Sequence, residues 1–310
     1  MNRVLAHTGA RYPIVQAPMG WIARSQLASA VCEAGGLGII ETSSGETEAC
    51  KAEILKMRAL TAAPFGVNLP IRFLKDDAML RFICDSPVKF VTTSAGSPAK
   101  FIAPLKAAGI IVYHAVPTVE TALKCVAAGV DGLVVEGAEG GGFKNPEEVS
   151  TLVLLQAIRR VTDVPMIAAG GIADGKGMAA AFAAGAEGVQ MGTRFVSAAE
   201  SPVHANYKQA IVDATETGTL FLNRKASPCI RALRTERTKA IAEAGLMPPD
   251  TFARILDLYF GGDMEAAVGL AGQTAGLIGE VKPVRAIIEE TVAEFHAICG
   301  RMGALAGGGF

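Results

Sequence analysis

Two short apolar runs that end in glycine carry the clearest chemical signal in the sequence. Residues 164–172 read Val-Pro-Met-Ile-Ala-Ala-Gly-Gly-Ile, and residues 188–194 read Gly-Val-Gln-Met-Gly-Thr-Arg. The glycines let the backbone bend and bring N–H groups close to a ligand, and the threonine adds a hydroxyl donor. In a βα barrel, the loops after the last two strands usually hold a phosphate. The two runs therefore predict a site for a phosphate-bearing cofactor.

The elements around these runs alternate between strand and helix up to about residue 215. Such alternation demands a parallel sheet, and about eight repeats with no polar edge strand favour closure into a barrel. We therefore predict a TIM (β/α)8 barrel, an α/β fold, in preference to a doubly wound sheet. The predicted strands are residues 13–17, 36–40, 64–68, 88–92, 110–115, 131–136, 164–169 and 187–191.

The strand pattern stops after residue 215. Residues 217–275 contain helix-like stretches and a Met-Pro-Pro break at 247–249, and residues 284–302 have the pattern of an amphipathic helix. The sequence thus predicts a cofactor-binding βα barrel over residues 1–215 and a small helical insertion over 216–280 that acts as a substrate lid. Residues 281–310 are predicted to form a C-terminal helix that returns to the barrel.

Composition and charge argue against several classes of partner. The 310 residues carry a formal net charge of −1 with both signs interspersed, which predicts neither nucleic acid nor an anionic membrane as a partner. The six cysteines occur singly, with no spacing typical of a metal site or a disulfide framework. No apolar stretch is long enough for a membrane span, and no signal-peptide pattern is present. We expect a cytoplasmic protein with a small-molecule substrate; the oligomeric state stays open, a homodimer included.

Seven motifs resemble those of the FMN-dependent nitronate monooxygenase (2-nitropropane dioxygenase-like) superfamily. That superfamily also contains flavin-dependent enoyl-acyl-carrier-protein reductases and NAD(P)H:quinone reductases. The motifs occur in the family's order and cover nearly the whole chain, so they are specific together although each is weak alone. They are Pro-Ile-Val-Gln-Ala-Pro-Met (13–19), Glu-Ala-Gly-Gly-Leu-Gly (33–38), Pro-Phe-Gly-Val-Asn (64–68), Val-Glu-Gly (135–137), Ala-Ala-Gly-Gly-Ile (168–172), Gly-Val-Gln-Met-Gly-Thr-Arg-Phe (188–195) and Ala-Gly-Gln-Thr-Ala-Gly-Leu (271–277).

The resemblance implies FMN across the C-terminal mouth of the barrel. Ala17, Pro18 and Met19 would lie against the isoalloxazine ring, where a thioether suits a flat aromatic face. Asn68 would offer its amide to the ring, and Gln190 would reach the ring or the ribityl chain. The other implied cofactor contacts are Glu136, Gly142, Gly170, Gly171, Met191, Gly192 and Thr193, with the phosphate held by Gly170, Gly171, Gly192 and Thr193. Structural explanations also exist: a strand exit packed on the core, a turn cap at Asn68, and glycines needed only for tight βα turns.

One motif departs from the family. The family's Glu-x-Gly-Gly-His is here Glu-Gly-Gly-Gly-Phe, from Glu139 to Phe143. In nitronate oxidation that histidine is the expected base, and phenylalanine cannot transfer a proton. Two residues could take its place: His114, at the end of the fifth predicted strand, and Lys144, which could bind a substrate anion or an NAD(P)H phosphate. A histidine in an apolar strand is also often a core residue, and a loop lysine is often only solvated.

These observations favour an FMN-dependent oxidoreductase that uses NADH or NADPH to reduce an activated alkene, such as an enoyl thioester, or a quinone. Solvent can supply the proton in that chemistry, so loss of the motif histidine is tolerated. The first alternative is a nitronate monooxygenase that uses O2, because a nitronate enters already deprotonated. The second alternative is a non-catalytic protein that binds flavin or acyl-CoA.

Overall fold

The computed structural model describes residues 1–308, which contain eleven strands in two sheets. Eight strands form a parallel sheet, and three short ones form an antiparallel sheet. In chain order, the strands are β1 (Ile14–Gln16), β2 (Ile39–Ile40), β3 (Gly66–Pro70), β4 (Phe90–Ser94), β5 (Ile111–Val116), β6 (Gly132–Glu136), β7 (Gly142–Lys144), β8 (Met166–Ala169), β9 (Gly188–Met191), β10 (Thr219–Leu222) and β11 (Cys229–Leu233).

The α-helices, in chain order, are α1 (Arg3–Thr8), α2 (Ser25–Glu33), α3 (Thr47–Leu60), α4 (Ala78–Cys84), α5 (Ala99–Ala107), α6 (Val119–Ala128), α7 (Thr151–Arg159), α8 (Gly175–Ala183), α9 (Thr193–Val196), α10 (Ala205–Val212), α11 (Glu236–Ala244), α12 (Ile255–Tyr259) and α13 (Val284–Gly308). Helices α2 to α9 each follow a strand of the parallel sheet, whereas α1 precedes β1 and α10 to α13 come after the last barrel strand. Two 3-10 helices cover Ile71–Phe73 and Gln273–Leu277.

The parallel sheet is a nearly closed barrel. Its strand order is β1-β9-β8-β6-β5-β4-β3-β2, and a parallel bridge between Val15 and Leu37 connects the two edges. Each of the eight predicted strand regions overlaps one barrel strand, so the predicted TIM barrel is confirmed. The prediction succeeded because strands covered on both faces are continuous apolar runs, which alternate here with helical stretches.

The inside of the barrel is filled at its N-terminal end. Val15, Phe90, Tyr113 and Ile167 project inward from four strands and pack with Val4 of α1, which closes that end. The hydroxyl group of Tyr113 lies 2.9 Å from Nδ1 of His7, also on α1. A ligand therefore has room only at the opposite end, where the strands reach their carboxyl termini.

The segment after β9 is not wholly helical, contrary to the sequence prediction. It contributes β10 and β11, which pair antiparallel with each other. β11 also pairs antiparallel with β7, which comes from the loop between β6 and α7 of the barrel. The pattern was missed because β7 spans only three residues of a glycine-rich loop, and its partner lies about 85 residues further along the chain. The division into barrel and insertion at residue 215 stays a prediction.

The last helix, α13, packs on the barrel. Val284, Ile287 and Ile288 are buried, and the carboxylate of Glu294 accepts a hydrogen bond of 2.9 Å from the N–H of Gly175 at the start of α8. The predicted C-terminal segment ends at residue 310, and its last two residues lie outside the described chain. Within residues 1–308, no helix combines the length and the apolarity that a membrane span requires.

Candidate active site

A cavity of about 1270 Å³ lies at the C-terminal ends of the barrel strands. Its walls come from the loops after β1, β3, β4, β6, β8 and β9, and from residues 223–228 and 246–252 of the segment after the barrel. This end of a βα barrel is where active sites are built, because the loops that follow the strands converge there. The cavity is the candidate active site.

The cavity is lined by the cofactor-binding residues that the sequence resemblance implied. All of them line it except Met191. The side chain of Met191 is fully buried in the core between the sheet and its helices, whereas the neighbouring Gln190 faces the cavity. The alternation of side chains along a strand explains this difference. Only the backbone of Met191 is therefore close to the site.

The two glycine runs place N–H groups at one side of the cavity. Gly170 and Gly171 have φ angles of +91° and +75°, which L side chains rarely adopt, so glycine is required there. The backbone N–H groups of Gly171, Gly192 and Thr193 donate no hydrogen bond to any acceptor within residues 1–308. Converging free N–H groups form a binding site for an anion.

Gly192 leaves room for that anion. Its φ is −105°, an angle open to any residue. A Cβ added there would lie 3.6 Å from Cβ of Ala17 and 3.9 Å from Sδ of Met19, in ordinary contact. The space beside the backbone, the free donors and the thioether of Met19 fit the phosphate and the ring of FMN.

The motif at residues 271–277 holds these loops in place. The N–H of Gly272 donates a hydrogen bond of 2.9 Å to the hydroxyl oxygen of Thr193. The N–H of Gln273 donates one of 2.9 Å to the carbonyl oxygen of Glu139. The carboxylate of Glu139 in turn accepts a hydrogen bond of 3.0 Å from the N–H of Thr151, at the start of α7. The sequence pattern did not indicate this structural role.

Phe143 and Lys144 belong to β7, and β7 belongs to the small antiparallel sheet. Their partners across the ladder are Ile230 and Cys229. The ring of Phe143 packs 5.7 Å from that of Phe73 and 6.2 Å from that of Phe252, between ring centroids, and Phe143 is 47% exposed. The phenylalanine at the motif position therefore lies in an aromatic cluster at the mouth of the cavity.

Lys144 is not a solvated loop lysine. Its side chain is 3% exposed, and its ammonium group forms an ion pair with the carboxylate of Glu136, at the end of β6. A Cβ on Gly140 would lie 3.0 Å from Nζ of Lys144, so the glycine leaves the space that the ammonium group occupies. The loop thus buries one cation in the cavity wall together with its counter-charge.

His114 lies on the outer face of β5, which differs from the placement expected of a catalytic residue in the barrel mouth. Ile111, Tyr113 and Ala115 pack in the inner cluster, so His114 points toward the helix layer and reaches the cavity only at its side wall. Nδ1 lies 2.7 Å from the hydroxyl oxygen of Thr93. Burial lowers the pKa of His114 to about 4, so the ring is neutral at pH 7.

Asn68 has a fixed amide orientation. Its Nδ2 donates hydrogen bonds to the backbone carbonyl oxygen and the hydroxyl oxygen of Thr92, at 3.2 and 3.0 Å. The backbone carbonyl oxygen of Asn68 accepts a further hydrogen bond of 2.7 Å from the hydroxyl group of Thr42. The residue is 3% exposed but still lines the cavity. A rigid amide at this point can orient a polar ring edge.

Sequence reasoning missed several residues of the cavity wall. Trp21, Arg72, Phe252 and Tyr259 all line it. Arg72 follows β3 by two residues, and a charged residue directly after a barrel strand was a usable signal. Phe252 and Tyr259 gave no signal, because their segment contains no recognisable motif.

The chain is similar to several known proteins. A family model described as nitronate monooxygenase matches residues 2–79 and 73–294. The (3aS,4S,5R,7aS)-5-hydroxy-7a-methyl-1-oxo-octahydro-1H-indene-4-carboxyl-CoA dehydrogenase of Mycobacterium tuberculosis is 37% identical over 231 residues, or 74% of this chain. The chain spans 64% of that relative's length, just under two thirds.

Two further proteins match over nearly their full length. A nitronate monooxygenase of Pseudomonas aeruginosa is 30% identical, and the match covers 91% of this chain and 97% of the relative. The structure of FabK from Thermotoga maritima superposes with a TM-score of 0.94 at 38% identity, over 98% of this chain and 99% of that one.

Proposed function

The chain belongs to the nitronate monooxygenase family of FMN-dependent oxidoreductases, and from that premise we propose that it uses NADH or NADPH to reduce an activated alkene carried as an enoyl thioester, or a quinone. The balanced reaction consumes NAD(P)H and one proton and yields NAD(P)⁺ and the saturated thioester or the quinol. Neither substrate has to lose a proton before it reacts.

The observation that carries this proposal is the position of Phe143. The family's base stands at this point of the motif, and here the side chain is a phenylalanine packed against Phe73. Among the described residues, the only histidine that lines the cavity is His114, which lies at the side wall with a pKa of about 4. Abstracting a proton from a neutral nitroalkane needs a base that titrates near neutrality, and reducing an alkene does not.

Two further observations support a thioester substrate. The name of the relative from Mycobacterium tuberculosis describes a CoA thioester as what that protein acts on. The cavity, at about 1270 Å³, exceeds the usual range of about 300–1,000 Å³ for a single small ligand. A cofactor and an elongated second substrate can therefore share it.

The roles of the residues follow from their positions. The N–H groups of Gly171, Gly192 and Thr193 would bind the phosphate, and Asn68 would orient the ring edge. When bound, FMN supplies the hydride chemistry. As negative charge develops on the thioester oxygen, Nζ of Lys144 would donate a hydrogen bond to it while Glu136 keeps the ammonium group in place. Solvent would supply the proton.

Anaerobic stopped-flow spectroscopy tests the proposal. The purified protein should contain one FMN per chain, identified by chromatography of the flavin released on heating. We expect NAD(P)H alone to bleach the flavin absorbance, and an enoyl thioester or a quinone to restore it. A flavin that NAD(P)H leaves oxidised, or a cofactor that is FAD, would contradict the proposal.

Nitronate oxidation with O2 is the second candidate function. The full-length similarity to the nitronate monooxygenase of Pseudomonas aeruginosa favours it. Among residues 1–308, the charged side chains that line the cavity are the cations of Arg72, Lys124 and Lys144 and the carboxylate of Glu136. This excess of positive charge would attract an anionic nitronate, which needs no base. Bleaching by a nitronate but not by NAD(P)H would support this candidate.

A further inference from the structure

The charges of the cavity are separated from its phosphate-binding loops. Gly170, Gly171, Gly192 and Thr193 follow β8 and β9, and no charged side chain from those loops lines the cavity in the described chain. Arg72 follows β3, and Lys124 lies on α6 after β5, on a different arc of the barrel. These cations are therefore positioned to bind a second anion, away from the glycine loops that would bind the phosphate of FMN.

Arg72 is the cation that is free to bind. Lys144 is paired with Glu136, and Lys124 forms an ion pair of 2.6 Å with Glu120 on its own helix. Arg72 is exposed, and within residues 1–308 its guanidinium group makes neither an ion pair nor a hydrogen bond. Its backbone is nevertheless fixed, because its N–H donates a hydrogen bond of 2.9 Å to the carbonyl oxygen of Ala95.

Exposed aromatic rings lie next to this arginine. Phe73, its neighbour in the 3-10 helix, is 41% exposed, and Phe143 is 47% exposed. Their ring planes are inclined by 38° at a centroid distance of 5.7 Å. Exposed rings offer stacking surfaces to a purine, and a guanidinium group matches the geometry of a phosphate.

We infer that Arg72, Phe73 and Phe143 bind the adenosine diphosphate portion of the second substrate. NADH, NADPH and CoA thioesters all carry this portion, so the shared chemistry is an adenine ring and a diphosphate. The adenine lies on the exposed rings and the diphosphate contacts Arg72, which directs the reactive end into the cavity. The inference rests on the proposed function for the reaction, but the binding of ADP can be measured without turnover.

Calorimetric titration of the FMN-loaded protein with ADP is the direct test. Arg72→Gln removes the charge, and Lys75→Gln is the matched control, because Lys75 is an exposed lysine three residues later that does not line the cavity. We expect Kd for ADP to rise about tenfold or more in Arg72→Gln and to stay within about twofold in the control. Equal effects of both variants, or no measurable ADP binding to the wild-type protein, would overturn the inference.

Substrates that lack the adenosine diphosphate portion show whether the site binds this portion of CoA or of the nicotinamide cofactor. If CoA carries it, Arg72→Gln raises KM for a CoA thioester and not for the N-acetylcysteamine thioester. If the nicotinamide carries it, KM rises for NADH or NADPH and not for reduced nicotinamide mononucleotide. Equal changes for full and truncated substrates would refute the assignment. If Arg72→Gln weakens ADP binding but the wild-type protein reduces neither a thioester nor a quinone, the ADP site stands and the proposed function is refuted.

Discussion

The ammonium group of Lys144 and the carboxylate of Glu136 form an ion pair in the cavity wall, although Lys144 follows the exposed Phe143 directly. Alternation along β7 sends the two neighbouring side chains in opposite directions, one to the aromatic cluster and one to Glu136. The carboxylate offsets the cost of burying the ammonium group. The cavity thus holds a fixed cation one residue after the position of the family's histidine.

Replacing Lys144 with Met should remove a donor for the developing oxyanion while keeping a long side chain. We expect kcat for substrate reduction to fall by about 100-fold, because losing one such donor typically costs that much. FMN content and flavin reduction by NAD(P)H should change little. Lys144→Arg, the matched control, keeps the charge and should recover part of kcat. A Lys144→Met variant with the kcat of the wild type would show that the pair is only structural.

Gly192 allows a cleaner test of the phosphate site than Gly171 does. At φ = −105°, Gly192→Ala is free of backbone strain, and the new Cβ makes only ordinary contacts. We expect FMN affinity to fall about tenfold or more, with the stability of the apo-protein changed by less than about 1 kcal/mol. Gly171→Ala, at φ = +75°, should cost about 1–2 kcal/mol of stability as well.

Denaturant unfolding of the apo-proteins and flavin fluorescence titrations separate these effects. Gly279→Ala is a control, since nothing lies within 4 Å of the added Cβ. If Gly192→Ala bound FMN as tightly as the control, the glycine would serve the turn alone.

Thr193→Ala should impair both stability and FMN binding. The hydroxyl oxygen accepts the hydrogen bond from the N–H of Gly272, and removing it leaves that buried donor without a partner at a cost of about 1–3 kcal/mol. Thr193→Ser keeps the hydroxyl group and should restore the thermal midpoint and the FMN affinity. A serine variant as unstable as the alanine variant would assign the effect to the methyl group instead.

The barrel was predictable from sequence because each strand is a local apolar run, whereas much of the site depends on distant contacts. The hydrogen bond between Gly272 and Thr193 spans 79 residues. No local pattern marks β7 as a strand, since its sequence is Gly-Phe-Lys and its ladder partner lies far along the chain. The pairing of Lys144 with Glu136 was missed for that reason, although both residues were named as candidates.

His114 shows how alternation within one strand decides a role. Alternation along the strand makes Tyr113 and His114 face opposite ways, and the expectation from sequence that His114, rather than Tyr113, faces the flavin was wrong. The inner cluster takes Tyr113, so His114 packs against Thr93 on the outer face. A residue at the end of a barrel strand is thus near the active site without pointing into it.

Burial of His114 makes stability depend on pH. Its pKa of about 4 in the folded protein lies below the value of about 6.5 in the unfolded chain. Between these two pH values, the imidazole is protonated in the unfolded state and neutral in the folded state. This contribution to stability is complete above pH 6.5 and is lost as the pH falls toward 4, by up to about 3 kcal/mol. His114→Gln should therefore show a smaller loss between pH 6.5 and 4.5 in denaturant unfolding.

The same variant tests a catalytic role. A neutral side-wall histidine should leave the pH–rate profile above pH 6 unchanged when it is replaced by Gln. A profile that loses a step near neutrality in His114→Gln would show that the imidazole titrates during turnover, which would contradict its burial as the neutral ring.

Phe143→His is the change that restores the family's residue. The new imidazole would enter the cluster with Phe73 and Phe252, where the present ring is 47% exposed, so its pKa should stay near the ordinary value and it could act as a base at neutral pH. At saturating NAD(P)H, where a change in adenine stacking does not limit the rate, we expect the rate constant of flavin reduction to change by less than about threefold. Oxidation of neutral nitroalkanes should rise by about tenfold or more, since a positioned base typically contributes at least that much. Phe143→Leu, which alters the cluster without adding a base, should show no such gain.

A wild-type protein that already oxidises neutral nitroalkanes as fast as nitronates would mean that another residue acts as the base, and the reductase assignment would lose its main support.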